Sequence, residues 1–253
     1  MFPLIDLTGK RILIIGATSG IGQATAIMLS NLGASLIMTS RNSDSCQMLL
    51  EKLDGNNKCY QFNIDNLDDI EQQIDDIIAD TGKLDGLVYC IGISKNRPLK
   101  LYKPSMVAEI MNTNFNAFIE VVRCVTKRNS FNKGMRIVGI SSIASLQGDK
   151  THTIYSASKA AMDGAVRCLA KELADKAICI NTVAPAMVRT KLYDAYLKNY
   201  GVDSDSHRKL LSRQYLGMGE PEDVASAIAF LLSSASRFIT GVCLPVDGGA
   251  TSS

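Results

Sequence analysis

The chain of 253 residues carries 27 Lys and Arg against 25 Asp and Glu, so its formal net charge is only +2. Basic residues are dispersed rather than gathered in blocks, which argues against nucleic acid or an anionic membrane as a partner. The apolar runs are shorter than the ~20 residues that a membrane span needs, and the first residues show no basic-then-apolar leader. We therefore expect one domain over residues 1–253, soluble and cytoplasmic.

Cysteine and histidine supply most disulfide frameworks, zinc sites and nucleophilic triads. The chain has seven cysteines, an odd number, and none stands in a CxxC pair, which argues against a disulfide framework and a zinc site. With only His152 and His207 present, no histidine-based metal site or Ser-His-Asp triad is expected. We predict no metal, and cysteines that are mostly small buried apolar residues in a reducing compartment.

The first predicted strand leads into a glycine-rich loop. Residues 10–15 form a short apolar, β-branched run that is typical of a strand buried on both faces, and residues 23–29 suit a helix. Glycines at such a turn let backbone N–H groups approach a phosphate, and the helix N-terminus favours an anion. A plain strand-to-helix turn gives the same pattern, while the missing Lys-Ser/Thr disfavours a triphosphate loop. The loop residues are Gly16, Thr18, Ser19, Gly20, Ile21 and Gly22.

The end of the second predicted strand, residues 35–39, bears on the choice of cofactor. In a dinucleotide fold the residue closing this strand faces the adenosine ribose, where a carboxylate accepts the 2′-hydroxyl and an arginine suits a 2′-phosphate. Here Ser40 and Arg41 follow, so the sequence favours NADP over NAD. The alternative is an arginine that merely ends a strand.

Helices and strands continue to alternate along the rest of the chain. This alternation predicts an α/β fold: a Rossmann-type, doubly wound parallel sheet of about seven strands with helices on both faces. Right-handed crossovers place the carboxyl ends of the strands at one edge, where such sheets bind ligands. Further helices are predicted over 48–53, 67–79, 105–127, 153–173 and 220–232, and further strands over 59–63, 87–92, 134–140, 177–183 and 241–249.

Several polar residues and one polar segment fall where function is expected. Asn114 lies in the middle of a predicted helix, where Asn is a poor former, although a partly exposed helix face tolerates it. Ser142 stands at the carboxyl end of the fifth strand, where open α/β sheets bind ligands. The polar segment 187–218 follows the sixth strand, and we expect it to be the substrate lid.

Tyr155 and Lys159 are four positions apart in a run of good helix formers, so they share one helix face. A tyrosine near its usual pKa of ~10 is a poor acid or base at neutral pH, and a neighbouring lysine cation favours the phenolate. The pair could therefore move a proton. Many solvated helix faces carry the same pair without a function.

These pieces occur in an order that resembles the classical short-chain dehydrogenase/reductase family over essentially the whole chain. The resemblance implies four catalytic residues, Asn114, Ser142, Tyr155 and Lys159. The run 181–186, with Thr190 following, is similar to a nicotinamide-contacting motif, and 246–249 to the end of the family's last strand. The cofactor-binding residues that it implies are Gly16, Thr18, Ser19, Gly20, Ile21, Gly22, Ser40, Arg41, Asn63, Ile64, Gly92, Tyr155, Lys159, Pro185, Val188 and Thr190.

The resemblance also implies an activity, transfer of hydride from NADPH to a ketone or other carbonyl, with Tyr155 as proton donor. Lys159 is expected to lower the pKa of the tyrosine and to hold the ribose, Ser142 to hydrogen-bond the carbonyl oxygen, and Asn114 to position a water. The implied substrate is a small carbonyl compound or acyl thioester, as in 3-oxoacyl-[acyl-carrier-protein] reductases, and the implied assembly a homodimer or homotetramer. NADP-dependent oxidation of a secondary alcohol, or a silent NADP-binding sensor or scaffold, remain alternatives.

The sequence differs from the family's cofactor-binding motifs at four places. Residues 89–92 keep only the glycine of the family's NNAG, so the amide that braces strand four is missing, and we expect altered cofactor affinity or packing. Ala186 replaces a glycine and is expected to narrow the approach to the nicotinamide. Ile15 replaces a threonine, and Asn63 stands where many relatives carry Asp.

Overall fold

A parallel sheet forms the centre of the protein in the computed structural model, which describes residues 5–200 and 205–252. All pairings between neighbouring strands in the described ranges are parallel, in the order β3-β2-β1-β4-β5-β6-β7, which confirms the predicted fold class. The strands are β1 (Arg11–Ile15), β2 (Ser35–Ser40), β3 (Lys58–Gln61), β4 (Leu84–Tyr89), β5 (Phe131–Ile140), β6 (Cys179–Pro185) and β7 (Cys243–Val246).

Helices connect the strands and cover both faces of the sheet. No helix of the described ranges is long and apolar enough to cross a bilayer. The helices are α1 (Gly20–Asn31), α2 (Ser43–Leu50), α3 (Ile70–Thr81), α4 (Pro104–Met111), α5 (Ala117–Val125), α6 (Thr153–Glu172), α7 (Lys191–Tyr200), α8 (Asp205–Leu211) and α9 (Pro221–Leu232).

Side chains of each strand alternate between two hydrophobic cores. In β1, Leu13 packs into one core while Ile12 and Ile14 pack into the other, because successive side chains of a strand point to opposite faces. One core lies between the sheet and α3, α5 and α6, and the other between the sheet and α1, α2 and α9. Burial of both faces explains why β1 reads as a continuous apolar run.

The strand order reverses beside β1, with β2 on one side and β4 on the other. Open α/β sheets bind ligands at the carboxyl edge of such a reversal. The loops after β1 and β4 meet there: a Cβ built on Gly16 would lie 2.8 Å from Cγ1 of Ile91. The fold therefore brings the glycine loop and the end of β4 to one cleft.

Helix boundaries differ from the prediction where side chains bond to the backbone. The helix predicted over 105–127 is interrupted by a π-helical turn, Asn112–Asn116, between α4 and α5. The helix predicted over 48–53 begins earlier, because Asn42 Oδ1 accepts hydrogen bonds from the N–H groups of Asp44 and Ser45 and caps α2.

The structure pairs Cys46 with Cys59 in one disulfide, which the sequence-based argument against a disulfide framework did not foresee. Cys46 lies on the buried face of α2, which packs against β3, so the Cα atoms come within 5.9 Å of one another. Sequence spacing gives no sign of a contact that helix packing creates. The expected burial is also wrong for most cysteines, since only Cys46 and Cys124 are fully buried among the described residues and Cys168 is exposed.

Candidate active site

A cavity of about 810 Å³ opens at the carboxyl edge of the sheet. The ends of β4, β5 and β6, the start of α6 and the segment after β6 all contribute to its wall. Eleven residues that the sequence predicted for the site line this one cavity: Ser19, Gly20, Ile21, Gly22, Gly92, Ser142, Tyr155, Lys159, Pro185, Val188 and Thr190.

The glycine loop forms a cradle that side chains would fill. Gly16 and Gly20 have φ of +87° and +51°, a region that favours glycine. A Cβ on Gly22 would lie 2.1 Å from the carbonyl oxygen of Gly16. Ser19 precedes α1, and within the described residues its side chain caps none of the first N–H groups of the helix. Those N–H groups are therefore available to an anion at the helix N-terminus.

The remaining predicted cofactor residues lie beyond the cavity wall, toward the ends of β2 and β3. Ser40 Oγ lies 3.2 Å from Thr18 Oγ1 and accepts a hydrogen bond from the N–H of Asn42 at 3.1 Å. Arg41 is exposed, and in the described part of the chain its guanidinium has no ion-pair partner. A cation held there without a carboxylate suits a phosphate.

Two further predicted contacts are only partly available to a cofactor. Ile64 is buried in a hydrophobic core, so its side chain cannot face a ligand. Asn63 is exposed, but its Oδ1 accepts a hydrogen bond from the N–H of Asp65 at 3.0 Å. The amide nitrogen of Asn63 is the group that remains for a polar contact.

Lys159 is held in the floor of the cavity. Its side chain is 2% exposed, and its Nζ donates a hydrogen bond to the carbonyl oxygen of Ile140 at 2.6 Å. Burial lowers the pKa of Lys159 to about 8, an effect that the nearby Asp163 and Cys90 oppose. Lys159 is therefore a cation close to its titration range, the property expected of a group that responds to proton transfer.

Tyr155 lies one turn before Lys159 and faces Ser142. Desolvation raises the pKa of Tyr155, and the hydrogen bond with the Ser142 side chain lowers it. The predicted lowering by Lys159 is not found, because the Lys159 Nζ bonds to Ile140 and lies 6.0 Å from the centre of the tyrosine ring. A raised pKa keeps the phenol protonated at neutral pH, the form that donates a proton.

Asn114 is fully buried rather than on an exposed helix face. Its Nδ2 donates to the carbonyl oxygen of Ile93 and to Ser158 Oγ, both at 2.9 Å, and its Oδ1 accepts from the N–H of Ile93 at 2.8 Å. The π-helical turn places this amide against the strand-four loop, as such turns often do at functional sites. A Cβ on Gly92 would lie 3.1 Å from Lys159 Nζ, so a larger residue there would require the lysine side chain to shift.

Tyr89 braces the end of β4 in this chain. Its hydroxyl donates a hydrogen bond to the carbonyl oxygen of Thr113 at 2.7 Å, and its ring packs edge-to-face on Phe118, with centroids 5.5 Å apart. The end of β4 is therefore tied to the π-helical turn by a hydrogen bond.

Comparison with known proteins shows the family to which this chain belongs. Residues 16–251 match the profile of a family described as enoyl-(acyl carrier protein) reductase. The chain belongs to the short-chain dehydrogenase/reductase family. It is 31% identical to the 3-oxoacyl-[acyl-carrier-protein] reductase of Vibrio harveyi over 246 residues, 97% of this chain and 98% of the relative. The Thermotoga maritima enzyme of the same name is 33% identical over 247 residues, with coverage of 96% and 98%.

Solved structures of this family share the fold. A dehydrogenase/reductase from Sinorhizobium meliloti 1021 superposes with a TM-score of 0.89 at 29% identity, covering 97% of this chain and 96% of that one. A blue fluorescent protein from a metagenomic library, in complex with NADPH, gives 0.88 at 28% identity, with coverage of 97% and 99%. This short-chain dehydrogenase/reductase is thus an oxidoreductase that resembles the 3-oxoacyl reductases.

The segment 187–218 of this short-chain dehydrogenase/reductase, predicted as a lid, is more helical than its polar composition indicated. It contains α7 and α8, and residues 201–204 lie outside the described ranges. The sequence analysis did not single out the side chains of α7 that line the cavity, although they repeat at helical spacing. These residues are Leu192, Tyr193, Ala195 and Tyr196. Tyr193 OH hydrogen-bonds His207 Nε2 at 2.8 Å, which links α7 to α8.

Outside the cleft, one surface cluster resembles a metal site. Ligand atoms of Glu71, Glu120 and Cys124 lie within 4.8 Å of one another. Arg123 pairs with both carboxylates, and Lys127 pairs with Glu71, so these carboxylates are already neutralised. The ion pairs, rather than a metal, account for the pKa of Glu71 being lowered to about 2.

Proposed function

We propose that the protein is an NADPH-dependent carbonyl reductase in which Tyr155 protonates the substrate oxygen. The observation that carries this proposal is the facing pair Ser142 and Tyr155 in the wall of a cavity whose other wall is the glycine cradle. Two hydroxyl groups that line the same cavity can donate hydrogen bonds to an oxygen on which negative charge develops.

The residues present fit a phosphorylated dinucleotide. The glycine cradle at Gly16 and Gly22 suits a pyrophosphate, as do the uncapped N–H groups at the start of α1. Arg41, which is exposed and has no ion-pair partner in the described residues, suits a 2′-phosphate. Two solved structures of 28% and 30% identity are described with NADPH and with NADP bound, which supports the same choice here. When bound, NADPH supplies the hydride.

The chain's own residues manage the proton. Tyr155 donates its proton to the carbonyl oxygen while Ser142 donates a hydrogen bond to the same atom. Lys159 supplies a buried positive charge to this part of the cavity, and we assign to it the holding of the cofactor ribose. Asn114 holds the loop at Ile93 against α6 through Ser158, and we assign to it the placing of a water that returns the proton.

The substrate class that we propose is a 3-oxoacyl thioester or related ketone. The alignment with this chain covers 98% of the length of two relatives that are named 3-oxoacyl-[acyl-carrier-protein] reductase. The cavity is lined in part by apolar side chains, those of Leu101, Met106, Leu192 and Leu210. An apolar wall with a few convergent polar groups suits an acyl chain ending in a carbonyl.

Following NADPH absorbance with a panel of substrates tests this function. We expect consumption with 3-oxoacyl thioesters or ketones and none with an enoyl thioester of the same length. Consumption with the enoyl thioester alone would show reduction of a carbon–carbon double bond and refute the proposal. Tight NADPH binding without turnover of any carbonyl would favour the sensor, and turnover only of secondary alcohols with NADP would favour the dehydrogenase.

We also propose a homodimer or homotetramer. Phe238 and Leu216 are 93% and 89% exposed near the last strand and the segment before α9, and large apolar side chains in such positions mark contact surfaces. Light scattering coupled to size exclusion decides the point, since a monomeric mass would refute it.

A further inference from the structure

Asp163 is a buried carboxylate that the mechanism above does not use. It lies on α6 and is 4% exposed. Its Oδ2 accepts a hydrogen bond from Ser141 Oγ at 2.9 Å, and its Oδ1 accepts one from Thr182 Oγ1 at 2.7 Å. Burial of a charged group is costly unless other groups compensate it. The burial of this carboxylate therefore needs a structural or functional explanation.

The hydrogen bonds of Asp163 tie α6 to the end of β5 and to the middle of β6. Ser141 directly follows β5, and Thr182 lies in β6. Ser141 stands between Ile140, whose carbonyl accepts from Lys159, and Ser142, which faces Tyr155. The carboxylate therefore anchors the stretch that orients both the lysine and the serine.

Asp163 also supplies negative charge to Lys159. The two residues are one helical turn apart on α6 and share a face. Lys159 donates its hydrogen bond to Ile140 rather than to this carboxylate, so the carboxylate acts on it through space. Among the causes acting on the pKa of Lys159, burial lowers it, whereas Asp163 is the largest that raises it.

The other titratable groups around this pair are neutral near pH 7. Cys90, from the loop after β4, faces Lys159, and desolvation raises its thiol pKa to about 12. Cys243, from β7, faces Asp163, and its pKa is raised to about 11, mainly by desolvation. Tyr155, on α6, has a raised pKa. In the described ranges, Asp163 is thus the carboxyl group that acts on Lys159.

We propose that Asp163 is a positioning residue of the active site, which holds α6 to the end of β5 and to the middle of β6 and places a negative charge one helical turn from Lys159. This inference rests on the function proposed above, because it assigns Asp163 to that site. It differs from a purely structural role in one respect: the charge of the carboxylate matters as well as its hydrogen bonds.

The test compares Asp163→Asn, which keeps the size and a hydrogen-bonding group but removes the charge, with wild type. Lysine side chains labelled with ¹³C are titrated by NMR, and Lys159→Met assigns the Lys159 signal. We expect the titration midpoint of Lys159 to fall by about one pH unit or more in Asp163→Asn. The control Asp175→Asn removes an exposed carboxylate near the far end of α6 and is expected to leave the midpoint unchanged.

An unchanged Lys159 midpoint in folded Asp163→Asn overturns the proposal. If that variant does not fold, Thr182→Val removes one of the two hydrogen bonds that favour the charged carboxylate, and we expect a smaller fall of the midpoint. An unchanged midpoint in folded Thr182→Val contradicts the proposal equally.

The pH profile of kcat gives a second readout that a structural role would not move. We expect the alkaline limb of the profile to shift to lower pH in Asp163→Asn, by the same amount as the Lys159 midpoint. If the substitution only loosened the site, kcat would fall without a shift of the limb, and this result would refute the charge role. The NMR titration needs no substrate. Absence of carbonyl reduction therefore refutes the proposed function while the Lys159 midpoint still decides the inference about Asp163.

Discussion

The two ends of the cofactor cleft are built in opposite ways. At the catalytic end, Lys159 and Asn114 are buried, and each is bound to backbone groups of neighbouring segments. At the adenosine end, Arg41 and Asn63 are exposed, and the Arg41 guanidinium has no ion-pair partner in the described residues. In the function proposed above, the chemistry is thus assigned to residues that are buried and bound, and the choice of cofactor to residues that are exposed.

This difference teaches how the two ends respond to mutation. Buried polar groups must keep their hydrogen bonds, because an unsatisfied one costs about 1–3 kcal/mol, so changes at the catalytic end affect stability as well as rate. An exposed side chain such as Arg41 can change without unfolding the protein. We therefore expect large, pleiotropic effects at one end and small, selective effects at the other.

The largest effect is expected at Tyr155. Tyr155→Phe removes the phenolic proton but keeps the ring, so turnover should fall by about 10²- to 10⁴-fold, while NADPH still binds. Steady-state kinetics and a fluorescence titration with NADPH measure both. Tyr215→Phe, at a tyrosine that is 65% exposed, is the matched control, and wild-type turnover in Tyr155→Phe would remove the tyrosine from the mechanism.

Gly22→Ala tests the cradle between the two ends. The new Cβ would meet the Gly16 carbonyl oxygen at 2.1 Å, so we expect the free energy of unfolding to fall by about 1–3 kcal/mol and NADPH affinity to be lost. Gly164→Ala is the matched control in α6, where the new Cβ meets only Arg167 at 3.7 Å and a gain of about 0.5–1 kcal/mol is expected. Equal denaturation midpoints for the two variants would contradict the clash.

Arg41→Ala should act on the open end alone. Loss of a charged contact with the 2′-phosphate is expected to lower the affinity ratio of NADPH to NADH by about tenfold, without a change in stability. Isothermal titration with both cofactors measures the ratio. Arg128→Ala, at another exposed arginine, controls for net charge, and an unchanged ratio in Arg41→Ala would reject the phosphate contact.

The smallest effect is expected at Tyr89, within the tight end but away from the reacting atoms. Tyr89→Phe keeps the packing on Phe118 and removes the hydrogen bond to the Thr113 carbonyl, so the free energy of unfolding should fall by about 1 kcal/mol. Chemical denaturation measures it, with Tyr215→Phe again as control. No loss in Tyr89→Phe would mean that this hydroxyl does not brace the end of β4.

Prediction from the sequence succeeded where the signal is local and failed where packing intervenes. The apolar run of β1 favours a buried strand, and the glycines after it favour a tight turn. The fold class and the glycine cradle could therefore be predicted. The interruption at Asn114 could not, because its cause is a hydrogen-bonding partner, Ile93, in another segment. The Cys46–Cys59 disulfide likewise depends on how α2 packs against β3.

The sequence by itself determined the order of strands and helices, the glycine loop, and the Tyr155 and Lys159 pair, because hydrophobic periodicity and residue spacing act over short stretches. Only the tertiary structure decided how that pair is tuned. It raised the pKa of Tyr155 by desolvation, turned Lys159 toward the Ile140 carbonyl and bound Asp163 to Ser141 and Thr182. Burial and through-space charge depend on which distant segments meet, and no local pattern encodes that.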